Sequence, residues 1–153
     1  MTIEVEALRT LLEARGLHAG LAMLNSRTPH RYTGIYRYDG DVLRNVALYD
    51  RHEPKVTRGG DVDMGNAYCA IVGRCGEPLE FADSRNDTRF AHLAGSPVIS
   101  YCGVLIRDDQ DQPFGTLCHY DVQRCEMRVS DLPLLMAAGP LIHGIISRDS
   151  NAA

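Results

Sequence analysis

The sequence predicts an α+β domain whose sheet is largely antiparallel. Apolar residues recur at helical spacing near both ends of the chain, whereas the middle contains runs rich in aromatic and β-branched residues. A hairpin signal, Asp39-Gly40, separates the first two of these runs, because Asp-Gly accepts the positive φ of a tight turn. Neither a linker nor an internal repeat divides the pattern, so we expect a single domain over residues 1–153.

Two helices are predicted before the first strand. Leu8 and Leu12 belong to an apolar series at helical spacing, and Gly16 follows it as a stop signal. A second, shorter helix carries the next leucines and ends at Asn25, just before a Thr-Pro turn.

Two strands, a loop and a short helix are expected next. Residues 31–38 and 42–49 are the β-rich runs on either side of the Asp-Gly turn. Residues 51–66 contain three glycines and a proline, which indicates a long loop. Residues 67–74 are short and apolar enough for a helix, which a glycine and a proline then close.

The second half of the chain alternates between polar turns and apolar runs. Residues 98–107 are apolar up to the last residue, which is typical of a strand covered on both faces. The polar turn 108–112 separates this strand from a returning one. We expect a strand over 79–82, a helical turn over 90–93, the strand pair 98–107 and 114–121, and a final helix from Ser130 to about 147.

The charge distribution argues against two classes of protein. Lys and Arg number 16 against 20 Asp and Glu, a net charge of −4, and the basic residues are scattered singly. Nucleic-acid binding relies on a concentrated basic face, so we do not expect it here. No apolar run approaches the ~18 residues that a membrane span needs, so we expect no membrane segment.

The cysteines and the N-terminus indicate a reduced, cytoplasmic protein. Five cysteines cannot all pair, which argues against a secreted disulfide scaffold. The acidic N-terminus lacks the basic and apolar regions of a signal peptide. No Cys-x-x-Cys motif and no histidine pair at zinc-finger spacing occurs, so we expect no metal site.

Five stretches of the sequence, taken in order, are similar to one family of sensory modules. They are residues 68–72 (YCAIV), 76–79 (GEPL), 83–90 (DSRNDTRF), 101–106 (YCGVLI) and 114–118 (FGTLC). The succession resembles the GAF domain family, whose members are found beside cyclases, kinases and phosphodiesterases. The resemblance covers about 17–146, where we expect the core of the domain, and the last two stretches are its most specific part.

The resemblance implies a GAF/PAS-like architecture. It calls for a central twisted antiparallel sheet of five or six strands with the terminal helices packed on one face. A ligand pocket should lie on the other face, under a roof made by the loop and helices between residues 51 and 95.

The same resemblance implies a regulatory function but does not name a ligand. Known members bind cyclic nucleotides, bilins, haem, 2-oxoglutarate or other small metabolites, and many dimerise through their terminal helices. The bilin motifs and the Asn-Lys-x-n-Phe-x-x-x-Asp-Glu signature of cyclic-nucleotide binders are absent here, so any cofactor stays unknown. We expect a homodimeric module that binds a small molecule and signals by contact with a separate output protein.

The candidate ligand-binding residues are aromatic or polar side chains expected near the pocket. An inward-turned arginine of the 83–89 charge run would hold an anionic ligand, whereas outward Asp–Arg pairs would merely be solvated. Neighbouring side chains on a strand point to opposite faces of the sheet. His119 therefore faces the pocket if Cys118 lies under the terminal helices, and Cys118 faces the pocket if His119 lies under them. The candidates are Tyr36, Tyr38, Tyr68, Cys69, Asp83, Arg85, Arg89, Phe90, Tyr101 and His119.

Three cysteines, Cys69, Cys102 and Cys118, support an alternative function. A turn centred on Gln110 would put Cys102 opposite Cys118, about 4.5–5.5 Å apart at Cβ, and Tyr101 opposite His119, although a slip of one residue would break both pairings. One GAF branch, the free methionine-R-sulfoxide reductases, uses pocket cysteines in redox chemistry. The glycine-flanked and Cys-Asp motifs of that branch are missing here, and buried cysteines also serve as small apolar core residues.

Overall fold

The chain begins with two helices and ends with one, with the strands and a short helix between them. The computed structural model describes residues 2–93 and 95–152. The helices are α1 (Ile3–Arg15), α2 (Leu17–Asn25), α3 (Tyr68–Cys75) and α4 (Leu132–Ala152). The strands are β1 (Tyr32–Asp39), β2 (Val42–Asp50), β3 (Val62–Asp63), β4 (Leu79–Phe81), β5 (Ser100–Arg107) and β6 (Pro113–Asp121). Short 3₁₀ turns cover Met64–Asn66, Ser84–Asn86 and Thr88–Leu93. None of the described helices is long and apolar enough to cross a membrane.

The six strands form one sheet in the order β3-β2-β1-β6-β5-β4, and every neighbouring pair is antiparallel. The β1–β2 hairpin turns where the sequence predicts, with Gly40 at a φ of +61°. β3 lies within the predicted 51–66 loop, where only two residues pair with β2. The predicted α+β class with an antiparallel sheet is confirmed.

Helices α1, α2 and α4 cover one face of the sheet. Side chains alternate along β5, so Val104 and Ile106 turn towards these helices and are almost fully buried. They form one apolar cluster with Leu8 and Leu12 of α1 and with Leu135 of α4. Burial of this size is the main stabilising contribution to such a layered fold.

Helix α3 and the short turns after it cover the opposite face. Val72 of α3 is completely buried and packs in a second cluster with Phe81, Phe90 and Tyr101. The sheet therefore separates two cores, and residues two apart on one strand share a core.

The register of the β5–β6 hairpin differs from the sequence prediction by one residue. Arg107 faces Pro113, as a turn centred on Gln110 requires, but the next pair joins Ile106 to Gly115 because a bulge inserts Phe114. Cys102 consequently faces His119. The predicted pairing of Cys102 with Cys118 is therefore wrong, and so is that of Tyr101 with His119.

Candidate functional site

A cavity of about 570 Å³ lies on the face of the sheet opposite the terminal helices. Strands β1, β5 and β6 form its floor, and α3 begins at one end of it. Its roof comes from residues 59–63, which precede α3 in the chain, and residues 95–98, which follow it. The cavity has the size of a typical small-molecule pocket, which spans about 300–1,000 Å³.

The floor is shaped by two glycines on either side of Cys118. Gly34 on β1 and Gly103 on β5 are its paired neighbours in the sheet. A Cβ atom at Gly34 would lie 2.9 Å from the ring of Tyr36, and one at Gly103 would collide with the ring of Tyr101. The missing side chains let both tyrosine rings lean across the sheet towards Cys118.

Three tyrosines form one wall of the cavity. The rings of Tyr32 and Tyr120 stack with their centres 5.0 Å apart, and the Tyr36 and Tyr120 hydroxyls lie 2.6 Å apart in a hydrogen bond. Burial raises the pKa of Tyr36 and of Tyr120. Both phenols therefore keep their protons at neutral pH, and one of the two hydroxyls donates to the other.

At the inner end of the cavity, the Cys69 sulfur lies within hydrogen-bonding distance of two hydroxyl groups. The Thr116 hydroxyl donates to it over 3.0 Å, and the Tyr101 hydroxyl lies 3.2 Å away. A hydrogen bond from the Cys118 thiol, followed by those from Thr116 and Tyr101, lowers the pKa of Cys69 despite its burial. Cys69 also occupies the first turn of α3, where a helix favours negative charge.

Cys118 behaves in the opposite way. Burial, and then the hydrogen bond and charge of Cys69, raise the pKa of the Cys118 thiol well above its usual value. Its own sulfur lies 3.8 Å from the carbonyl oxygen of Gly34. The surroundings therefore favour ionisation of the Cys69 thiol and oppose ionisation of the Cys118 thiol.

Comparison with known proteins relates this architecture to solved structures. The GAF domain of a phosphoenolpyruvate-protein phosphotransferase from Acinetobacter superposes with a TM-score of 0.74 at 14% identity, over 100% of this chain and 98% of that chain. The chain has the GAF fold. No protein-family model matches the sequence, and no curated protein matches it.

Two other solved GAF-fold proteins illustrate the range of functions on this fold. The GAF domain of the corresponding phosphotransferase from Coxiella burnetii has a TM-score of 0.65 at 14% identity, over 98% and 97% of the two chains. A free methionine-R-sulfoxide reductase from Neisseria meningitidis, solved with its substrate, has a TM-score of 0.66 at 14% identity, over 97% and 89%. At these identities the likeness establishes the fold and leaves the function open.

Four of the ten predicted ligand-binding residues line the cavity. They are Tyr36, Tyr68, Cys69 and Tyr101. Phe90 lies behind them and packs edge-on against Tyr68, with ring centres 5.3 Å apart.

Tyr38 does not line the cavity but supports its inner end. Its hydroxyl donates to the backbone carbonyl of Cys69 over 2.6 Å. This bond ties the first turn of α3 to strand β1.

The charge run 83–89 points away from the cavity. Arg85 pairs with Asp83, and Arg89 pairs with Asp87, so both guanidiniums are bound to carboxylates two residues earlier in the chain. Their side chains are 63% and 62% exposed. Arg85 lowers the pKa of Asp83 to about 2. The structure thus shows solvated Asp–Arg pairs, and neither arginine lines the cavity.

His119 and Cys102 lie on the other face of the sheet, under the terminal helices. His119 is fully buried, and its ring nitrogens contact the Thr33 hydroxyl at 2.7 Å and the Asp131 carboxylate at 2.9 Å. Burial raises the pKa of Cys102, whose sulfur lies 3.6 Å from a carboxylate oxygen of Glu80. The sequence left open whether Cys118 or His119 faces the pocket. In the structure Cys118 lines the pocket, so His119 is not a pocket residue.

The candidate set omits Tyr120, Asp61 and Asp63, which all line the cavity. Tyr120 lies two residues after Cys118 on one strand, and that alternation was the only signal for it. The two aspartates belong to the predicted loop, where no sequence pattern indicates direction. Among the described residues, no group of three or more His, Cys, Asp or Glu side chains is placed to hold a metal ion.

Proposed function

We propose that this GAF-fold protein is a regulatory module that binds a small molecule in the cavity under the 59–63 and 95–98 roof. The cavity itself supports the proposal, since it has the volume of a ligand site and is walled by apolar and aromatic side chains with a few polar groups. Binding would order the roof and change the surface it presents to an output protein. The five cysteines are free, as suits a protein of the cytoplasm.

A thermal-shift screen against a metabolite library tests this proposal. A ligand that binds only the folded protein raises its midpoint of unfolding, because it removes folded protein from the equilibrium. We expect at least one compound to raise the midpoint in a concentration-dependent manner. A library that spans anions, cations and neutral compounds and shifts nothing would contradict the proposal.

Partner contact is the second part of the same proposal. A shallow groove runs along α1 between exposed residues that include Ile3, Ala7 and Ala14, and Ile3 is 87% exposed. A small-residue helix face lets a second helix approach closely. We propose that a second copy of the chain packs on this face to form a homodimer.

A second candidate function, thiol-dependent reduction of a sulfoxide, is favoured by the contact between Cys69 and Cys118 in the cavity. The Cys69 thiolate would attack the sulfoxide sulfur and, with one proton, take its oxygen as a sulfenic acid while the sulfide leaves. The Cys118 thiol would then displace that oxygen as water and form a disulfide. Two electrons pass from the two thiols to the sulfoxide, and an external dithiol restores them.

Turnover of free methionine sulfoxide with a dithiol reductant tests the second candidate. We expect Cys69→Ser to abolish turnover, and Cys118→Ser to slow it, because the external dithiol must then reduce the buried Cys69 sulfenic acid directly. The matched controls are Cys75→Ser, which changes an exposed thiol, and Cys102→Ser on the other face of the sheet. Equal loss in Cys102→Ser, or no turnover by the wild type, would contradict a reductase built on the Cys69–Cys118 pair.

A further inference from the structure

The ionisable groups that line the cavity are all acidic. Among the described residues of the lining, Asp61 and Asp63 carry carboxylates, whereas no lysine, arginine or histidine is present. The only other groups there that can acquire charge are thiols and phenols, which also become anions. An anionic ligand would meet no opposite charge on these walls, and like charges in a partly enclosed site repel strongly.

Asp61 is held as a charged group at the edge of the cavity. One of its oxygens accepts the backbone N–H of Asn45 over 2.9 Å, and the other accepts a guanidinium N–H of Arg44 over 3.0 Å. These bonds lower the pKa of Asp61, so its carboxylate stays ionised at neutral pH. Arg44 does not cancel this charge alone, because it also pairs with Asp39 at 2.9 Å.

The surroundings of Asp61 retain a net negative charge. Arg58 lies on the same side and donates to the carbonyl of Asn45 over 3.1 Å, so its guanidinium is directed at the backbone. Arg44 is the ion-pair partner of both Asp39 and Asp61, so these three side chains together carry one negative charge. Neither guanidinium lines the cavity.

The tyrosine wall supplies a surface that attracts cations. A tyrosine ring carries negative charge density on its face and binds a cation within about 6 Å of its centre. Tyr32 already does so, because the guanidinium carbon of Arg31 lies 4.8 Å from its ring centre. Tyr32 also stacks on Tyr120, so neither face of its ring is free. Tyr36 and Tyr120, inclined at 54° with ring centres 6.2 Å apart, line the same cavity as Asp61.

We infer that the ligand of this cavity is a small organic cation, an alkylammonium or a similar onium group packed against the tyrosine wall near Asp61. The inference rests on the small-molecule binding proposed above and names the class of molecule. Apolar contacts with Leu43 and Leu48 suit the alkyl part of such a cation, and the two aspartates complement its charge.

Three probes of nearly the same shape test the charge of the ligand. Choline carries a trimethylammonium group, 3,3-dimethylbutan-1-ol replaces its nitrogen by carbon, and 3,3-dimethylbutanoate carries a negative charge instead. We expect isothermal titration of the full chain to show choline binding at least tenfold more tightly than the neutral alcohol. The anion should not bind measurably, and added salt should weaken choline alone.

Substitutions at two residues locate the cation. Asp61→Asn keeps the shape of the side chain and should weaken choline about tenfold, with no change for the alcohol. Tyr120→Phe keeps the ring and should retain choline, whereas Tyr120→Leu should lose it about tenfold. Asp109→Asn is the control, since it removes one exposed carboxylate far from the cavity lining.

The outcomes separate this inference from the proposed function. Equal or tighter binding of the alcohol or the anion overturns the cationic class, while the cavity remains a small-molecule site. A neutral or anionic library compound that binds when choline does not has the same meaning. If neither the probes nor the library bind, the proposed function fails together with the inference.

Discussion

At the scale of single residues, Cys69 and Cys118 show how position decides the chemistry of identical groups. Cys69 lies in the first turn of α3 and receives the hydroxyl of Thr116, so negative charge on its sulfur is stabilised. Cys118 lies in mid-strand between two glycines, where burial opposes ionisation. The sequence places Cys69 on the helix expected to face the pocket and leaves the facing of Cys118 open. It cannot pair them, because their contact depends on how α3 packs against β6.

A buried histidine gives a residue-scale prediction for stability against pH. Burial, and then the neighbouring His119, lower the pKa of His30 from 6.5 to about 4. Between those values the unfolded chain binds the proton and the folded protein does not, so stability falls as the pH falls through this window. His30 can contribute up to about 1.4 kcal/mol per pH unit there.

Urea unfolding of wild type and His30→Gln at several pH values between 4 and 7.5 checks this expectation. The free energy of unfolding of the variant should change less steeply with pH than that of the wild type. His52→Gln, which changes an exposed histidine, should keep the wild-type slope. A His30→Gln slope equal to that of the wild type would show that His30 does not control this window.

At the scale of elements, the two strands of the β5–β6 hairpin were predictable from the sequence, but their register was not. The apolar run, the polar turn and the returning strand predict both elements and their pairing. The inserted Phe114 shifts the register by one residue, which moves every β6 side chain to the other face relative to β5. Gly115 follows the bulge, and a glycine inside a strand is the one local signal that a bulge was present.

Gly115 also gives an element-scale prediction. A Cβ atom there would collide with the backbone carbonyl oxygen of Tyr36 on the neighbouring strand, which cannot move without disturbing the sheet. We expect Gly115→Ala to lower the free energy of unfolding by about 3 kcal/mol. Gly60→Ala is the matched control, because a Cβ atom there meets nothing within 4 Å. Denaturant unfolding measures both, and equal stability of the two variants would contradict the close approach.

At the scale of the whole molecule, the two-faced sheet was predictable and the character of the cavity was not. Helical spacing at the chain ends and the Asp-Gly hairpin predict the elements, and the resemblance to GAF domains implies how they are layered on the two faces. The expectation of an anionic ligand depended on Arg85 and Arg89. In the structure each of these arginines forms an ion pair with the aspartate two residues before it. In such a local pair the guanidinium finds its hydrogen-bond acceptors while the loop stays at the surface. The order of charges in the sequence does not show whether an arginine pairs in this way or turns inward.

The proposed homodimer gives a prediction at the same scale. A charge at Ala7, in the groove along α1, would face the second copy without disturbing the buried leucines of the same helix. We expect light scattering to show a dimer for the wild type and a monomer for Ala7→Glu. Glu13→Ala, on an exposed position of α1 outside the groove, should remain dimeric. A monomeric wild type, or a dimeric Ala7→Glu, would exclude this face as the interface.

Closing the mouth of the cavity tests the central claim most directly. Gly60 borders the cavity, and a side chain there enters open space, so Gly60→Trp should fold normally while its indole blocks entry. We expect titration calorimetry with a compound that stabilises the wild type to show one site per chain and an unchanged affinity in Gly60→Ala. Gly60→Trp should lose at least tenfold in affinity. An affinity equal to that of the wild type in Gly60→Trp would contradict a ligand site in this cavity.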